Sequence, residues 1–288
     1  MIAHVAEAGE QRGRVVLWLG AEAWPSRPLI DATIMVAQVF GAEIESLFVE
    51  DRQLLELKNL PFVREVGLSG QGARDVAEID IEHEMKLAAG AAQREVGRII
   101  RESQVVHRER TMRGEPLATL AMACAETGPW NVVAIGDPAF GSRPGRLLDL
   151  FETVLGMTGI VMTGPTARTG KGPVVALVED VDRIEPMIRA AERLSSGTGA
   201  SVTLLLAAPS EAAVSFLDGQ ARLLLGGRIG DGLTVASHLA RDSTDLANAL
   251  SGLDIGFFIA QFGGTAVPAT GEASAVISRL GCPLFLVR

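Results

Sequence analysis

Short apolar runs alternate along this chain with longer stretches in which apolar residues recur every three or four positions, and the alternation is written out twice. In the first half, runs at 15–19, 44–49, 131–135 and 160–162 predict buried strands, while 27–40, 75–102, 116–126 and 146–155 predict helices. The second half repeats the order, with predicted strands at 174–178, 202–206, 255–260 and 284–287. Its helices begin at 184 and cover 211–225, 244–250 and 272–280. One more strand is predicted in each half, at 105–112 and 233–239. His107, Arg108, Glu109 and Arg110 make the first of these too polar for burial on both faces, so it belongs at a sheet edge.

Strand, helix and strand in succession imply parallel pairs with right-handed crossovers. Five strands per half therefore describe two doubly wound α/β domains, 12–165 and 172–288, separated by the Gly- and Pro-rich stretch 164–173. The insertion 51–74 has no counterpart in the second half. Its apolar residues, among them Leu54, Leu57, Leu60 and Phe62, pack on the long helix 75–102, cover the crevice of the first domain, or present a surface to a protein partner.

Composition narrows the partners. A net charge of -9 and a pI near 5.1, with no Lys/Arg-dense run, oppose binding to nucleic acid or to an anionic membrane. The first ten residues lack a basic start and a continuous apolar core, and no later run reaches the ~18 residues of a spanning helix, so a cytoplasmic chain is expected. Cys124 and Cys282 stand far apart without metal-ligand spacing and read as buried apolar residues.

Chemistry is sparse. His4, His83, His107 and His238 are scattered, and neither a Gly-x-Ser-x-Gly elbow nor a Cys-His constellation is present, so no catalytic residue is assigned. The acidic residues after predicted strands, Glu50, Asp51, Asp137, Glu179, Asp180 and Asp182, suit helix N-termini, and no metal site is expected from them. The glycine cluster 226–232 precedes a strand and lacks a Gly-Lys-Ser/Thr ending, so it reads as a helix-to-strand connection.

Two endings carry a resemblance. Asn131-Val132-Val133-Ala134-Ile135-Gly136, a Gly/Ser/Arg loop, then Arg146-Leu147-Leu148 through Val154-Leu155 and a short terminal strand resemble the carboxy-terminal signature of the universal stress protein family. The tail Arg279-Leu280-Gly281-Cys282-Pro283-Leu284-Phe285-Leu286-Val287 is similar to the same ending. The resemblance implies a five-stranded parallel sheet per domain, with the third and fifth strands at its edges. It also implies that 159–164 meets 283–288 inside one chain as an internal pseudo-dimer, with a further homodimer open.

Nucleotide-binding members of that family place an Asp at the end of the first strand and a Gly-x-x-Gly-x9-Gly-Ser/Thr pattern after the fourth, where backbone N–H groups meet phosphate oxygens. Here Leu19-Gly20-Ala21 replaces the Asp in the first half, and Leu148-Asp149 stands where the closing Gly-Ser would be. What remains there is either an anion cradle from Gly136, Gly141, Ser142, Arg143 and Gly145 or a solvated turn. The second half keeps acids in Glu179 and Asp180, with Gly263, Gly264, Thr270 and Gly271 in the loop after its fourth strand. The resemblance thus implies a stress-related, non-enzymatic binding or regulatory module without a cofactor, whose first half does not bind ATP. The alternatives are an ATP-binding protein that uses the second half, with slow hydrolysis, and an interaction protein that docks a partner through 54–63.

Overall fold

A computed structural model describes residues 13–19, 25–56, 64–66, 73–75, 78–126, 130–136, 146–164, 166–168, 172–269 and 274–288. The first half runs β1 (Arg14–Leu19), α1 (Arg27–Phe40), β2 (Glu43–Asp51), α2 (Arg52–Glu56), β3 (Arg64–Val66), β4 (Ala73–Asp75) and α3 (Glu78–Arg101). It continues with β5 (His107–Gly114), α4 (Pro116–Ala125), β6 (Asn131–Ile135), α5 (Arg146–Thr153) and β7 (Met157–Met162). The second half runs β8 (Val174–Val178), α6 (Ile184–Thr198), β9 (Val202–Ala208), α7 (Glu211–Leu225) and β10 (Leu233–Leu239). It ends with α8 (Ser243–Leu250), β11 (Phe257–Gln261), α9 (Ser274–Arg279) and β12 (Leu284–Val287).

Ten strands form one sheet in the order β10-β9-β8-β11-β12-β7-β6-β1-β2-β5. Within each half the strands are parallel and ordered third, second, first, fourth, fifth, which is the doubly wound arrangement. The halves join where β12 and β7 pair antiparallel, from Leu284 opposite Met162 to Val287 opposite Gly159. That pairing removes two apolar edges from solvent. The outer edges of the whole sheet are β5 and β10.

Because the central strands are covered on both faces, nearly every residue in them is apolar, and alternate residues feed two separate cores. Val15, Leu17, Val132, Ala134, Ala176, Leu204 and Ile259 meet α1, α3, α6 and α7 on one face. Val16, Val133, Val175, Leu205 and Phe258 meet α4, α5, α8 and α9 on the other. Both cores run through the two halves. Across the junction α1 packs on α6, where a Cβ at Gly197 would overlap Val39 and where the Arg193 guanidinium lies 4.5 Å from the Phe40 ring centre. On the opposite face Phe151 of α5 stacks on Phe262, with ring centres 4.2 Å apart.

Local chemistry fixes the element ends. Ser210 and Asp242 cap α7 and α8 by accepting N–H bonds from the first turn, and Glu115 does so for α4, which begins at Pro116. Gly41 ends α1 with φ 63°, a left-handed conformation that favours glycine. The insertion contains more structure than its sequence predicts: a short α2 lying against α3, and a hairpin in which Arg64–Val66 pairs antiparallel with Ala73–Asp75. Periodicity does not reveal three-residue strands.

The polar strand β5 sits at the edge, and its arginines are individually paired. Arg108 meets Glu43 at 3.1 Å, Arg110 meets Glu126 at 2.6 Å, and Arg113 bridges Glu50 at 2.9 Å and Glu82 at 2.7 Å. Hydrogen bonds from Arg113 and Lys86 hold the half-buried Glu82 carboxyl down at about 2. Beneath this edge, Arg14 at the start of β1 is buried and donates to Glu45 and to the Ala123 carbonyl.

Candidate functional site

In a doubly wound sheet the ligand crevice opens at the carboxyl ends of the strands, where the order reverses beside the first strand. Here that means β1 with β6 and β8 with β11. The second crevice is described up to residue 269, and its geometry turns on Glu179, the residue after β8.

Glu179 reaches across to the loop that follows β11. Its carboxylate accepts the Thr265 backbone N–H on both oxygens, at 2.9 and 3.1 Å. The neighbouring amides are also committed: Gly263 N–H donates to the Val267 carbonyl at 2.8 Å, and Gly264 N–H donates to the Gln261 carbonyl at 3.4 Å. Three consecutive loop donors are therefore satisfied within the protein. The loop needs its glycines for two different reasons. Gly263 has φ 88°, while a Cβ at Gly264 would displace the Glu179 carboxylate, whose Oε2 occupies that space.

The loop is anchored below. Phe262 bridges to Val267, its N–H donates to the Val287 carbonyl at 2.9 Å, and Ala266 and Val267 are fully buried. Asp180 does something different from its neighbour. It is exposed and caps the 3₁₀ turn Val181–Arg183, accepting the Asp182 N–H at 3.4 Å. The structure thus brings Glu179, Gly263 and Gly264 together and leaves Asp180 outside the cluster; Thr270 and Gly271 lie outside the described residues.

Thr265 and Phe262 complete this arrangement, and nothing in the sequence pattern marks either one. The acid at the strand end was visible, but nothing in the order of residues tells which amide its carboxylate will meet. That is set by the turn of the loop.

In the first crevice Gly136 follows β6, and a Cβ there would come within 2.7 Å of Leu29 Cδ2. Leu29 is fully buried at the start of α1, and Ser26, the α1 cap, sits 3.3 Å from the Thr163 hydroxyl. Apolar packing thus reaches the opening glycine itself. Gly141, Ser142, Arg143 and Gly145 lie outside the described residues, as do Leu57, Leu60 and Phe62 of the insertion. Leu54 is half-buried on α2, and its neighbour Leu55 is buried.

A cleft of about 240 Å³ lies elsewhere, between α8 and α9, lined by Leu250, Leu253, Ile255, Val276, Leu280 and Cys282. Ile255 and Cys282 precede β11 and β12, so this cleft is at the amino ends of the strands, away from the crevice. Arg279 at its rim donates to Asn248 Oδ1 at 2.7 Å. Both thiols are buried, and burial pushes Cys124 up to about 11 and Cys282 up to about 12. Neither is a nucleophile at neutral pH. Among the described residues no group of three or more His, Cys, Asp or Glu side chains is placed to hold a metal ion, and no helix is long and apolar enough to cross a membrane.

No protein-family model matches the chain, and no curated protein does. Solved structures do. A universal stress protein from Archaeoglobus fulgidus DSM 4304 is 14% identical with a TM-score of 0.62, covering 97% of this chain and 98% of that one. A putative universal stress protein from Pseudomonas aeruginosa UCBPP-PA14 is 16% identical with a TM-score of 0.59, covering 96% and 94%. The cytoplasmic domain of a prokaryotic cation chloride cotransporter is 11% identical with a TM-score of 0.54, covering 96% and 95%. At such identities the likeness is one of architecture, and with the strand order described above it leads to one conclusion: this chain has the universal stress protein fold over nearly its whole length.

Proposed function

We propose that this chain is a non-enzymatic binding or regulatory module, an internal pseudo-dimer whose crevices do not take ATP in the manner of nucleotide-binding universal stress proteins. One observation carries the reading: the Glu179 carboxylate holds the Thr265 N–H while Gly263 and Gly264 spend theirs within the loop. A phosphate entering there meets no free amide in 263–265 and faces a fixed carboxylate. Repulsion between two unit charges at ~4 Å is about 1 to 4 kcal/mol for effective dielectrics between those of water and a protein surface. The first crevice, with Leu29 against Gly136 and no acid in the Leu19-Gly20-Ala21 stretch, supports the same reading.

The test is direct. The protein is purified gently and denatured, released small molecules are read by mass spectrometry, and Mg-ATP is titrated by calorimetry into the native protein. The proposal expects no nucleotide and no binding heat at millimolar ATP. One equivalent of ATP, bound natively and lost in Gly264→Val, overturns it and makes the second crevice a nucleotide site.

A further inference from the structure

The helix α7 has a second face that the fold does not use. It packs on the sheet through Leu217, Ala221 and Leu225, all nearly fully buried. On the opposite side Ala212, Phe216, Gly219 and Leu223 follow at spacings of four, three and four, and all four are exposed. With 3.6 residues per turn these positions line up along the helix, directly away from the buried trio. Four-three-four is the spacing of a seam between two paired helices. Phe216 is 62% exposed and Leu223 77%, and Leu224 beside them is 47% exposed. The helix in the equivalent place of the first half, α3, exposes a single large apolar residue, Leu87, among His83, Glu84, Lys86, Arg94 and Arg98. The apolar stripe is therefore not a requirement of the architecture.

We propose that this face is a self-association surface, on which α7 of a second copy of the chain lies antiparallel about a twofold axis beside Gly219. Three observations select that occupant. First, the seam is self-complementary: an axis between Gly219 and Gln220 sets Phe216 against Leu223 of the second copy, and Gly219 lets the helix backbones approach at the crossing. Second, the charged flank carries Asp218 and Arg222, already joined at 2.6 Å within the helix. The same axis brings Asp218 level with Arg222 of the second copy, so opposite charges alternate around it. Third, the flank has no excess of basic residues and the chain carries a net charge of -9, which opposes an anionic membrane as the occupant.

The surface is small. Phe216, Leu223 and Leu224 together expose on the order of 350 Å² of side chain per copy, and flanking residues bring a paired interface to roughly 1,000 Å², the lower end of specific interfaces. Association is accordingly weak and reversible, and visible only at high protein concentration.

Sedimentation velocity of the full chain from about 1 to about 500 µM tests this across the range where a weak dimer forms. A reversible monomer–dimer equilibrium is expected, with Leu223→Glu and Phe216→Ser each raising the dissociation constant at least about tenfold. Both positions are exposed, and circular dichroism and the thermal transition check that each variant is folded. In Gly219→Cys the axis places the two new thiols within disulfide reach, so mild oxidation should give a covalent dimer, with native Cys124 and Cys282 buried and unreactive. A monomer at every concentration overturns the proposal. So does a dimer that Leu223→Glu leaves intact, which would assign the contact to another surface such as the edge strand β10.

Discussion

Replacing Glu179 by alanine isolates the contact between the end of β8 and the loop after β11. The carboxylate accepts one backbone N–H, that of Thr265, with both oxygens. A hydrogen bond to a charged group contributes about 1.5–3 kcal/mol, and an amide left unpaired costs about 1–3 kcal/mol when water cannot replace the acceptor. Glu179 is half-buried, so solvent offsets part of this, and a loss of about 1–2 kcal/mol is expected. In a chain with two halves a global unfolding midpoint is a blunt probe, because the transition need not be two-state. Amide hydrogen exchange at Thr265 reports the loop itself. Glu179→Ala should lower protection there by about fivefold to thirtyfold, since each 1.4 kcal/mol is a factor of ten. Glu179→Gln keeps one acceptor oxygen and should lose less than half of that. Amides in β9, far from the loop, should not change. Unchanged protection at Thr265 in Glu179→Ala, with the protein otherwise native, would refute the reasoning that this side chain anchors the loop.

Other contacts give equally specific outcomes. Gly197→Leu forces a side chain into Val39 at the α1–α6 junction and should cost about 1–3 kcal/mol, seen as a lower thermal midpoint, with Gly197→Ala costing less. Arg14→Met leaves Glu45 buried with only Arg110 at 3.9 Å nearby, and should destabilise by about 3–5 kcal/mol in urea titrations; Arg14→Met with Glu45→Met should recover most of the loss. Burial holds His107 below the usual imidazole range, against an opposing pull from Glu109 that outweighs the smaller push from Arg101. The unfolded chain therefore takes up this proton at a higher pH than the native protein. The stability tied to neutral His107 is complete above about pH 6.5 and declines as pH falls through the folded value. Urea midpoints at several pH values should show that decline, and His107→Gln, which retains a partner for the Ser46 hydroxyl at 2.9 Å, should flatten it.

The architecture is legible in the order of apolar and polar residues. Strands buried on both faces must be continuous apolar runs, so β1, β6, β8 and β12 stand out in the chain. Helices with one buried face must show three- and four-residue spacing, and α1 and α7 are bounded in the structure where their periodicity and caps place them. The charged β5 declared itself an edge strand because arginines in such numbers need water or carboxylates. The likeness of the two endings to universal stress proteins pointed to the fold that the solved structures share.

What the residues at the crevices do follows from contacts between distant segments. Glu179 and Asp180 are adjacent acids with the same chemistry, yet one is folded onto the Thr265 amide and the other caps a turn in solvent. Their separation depends on where the β11 loop lies, and that depends on Ala266 and Val267 burying themselves and on Phe262 stacking against Phe151 from the other half. The outward stripe of α7 has the same status. Its spacing is present in the sequence, but only packing shows that Leu217, Ala221 and Leu225 take the core side and leave Phe216 and Leu223 uncovered. Periodicity reports that a residue is apolar and which neighbours share its face. What covers that face, and which donor a carboxylate meets, depends on contacts between segments far apart in the chain, which local pattern does not contain.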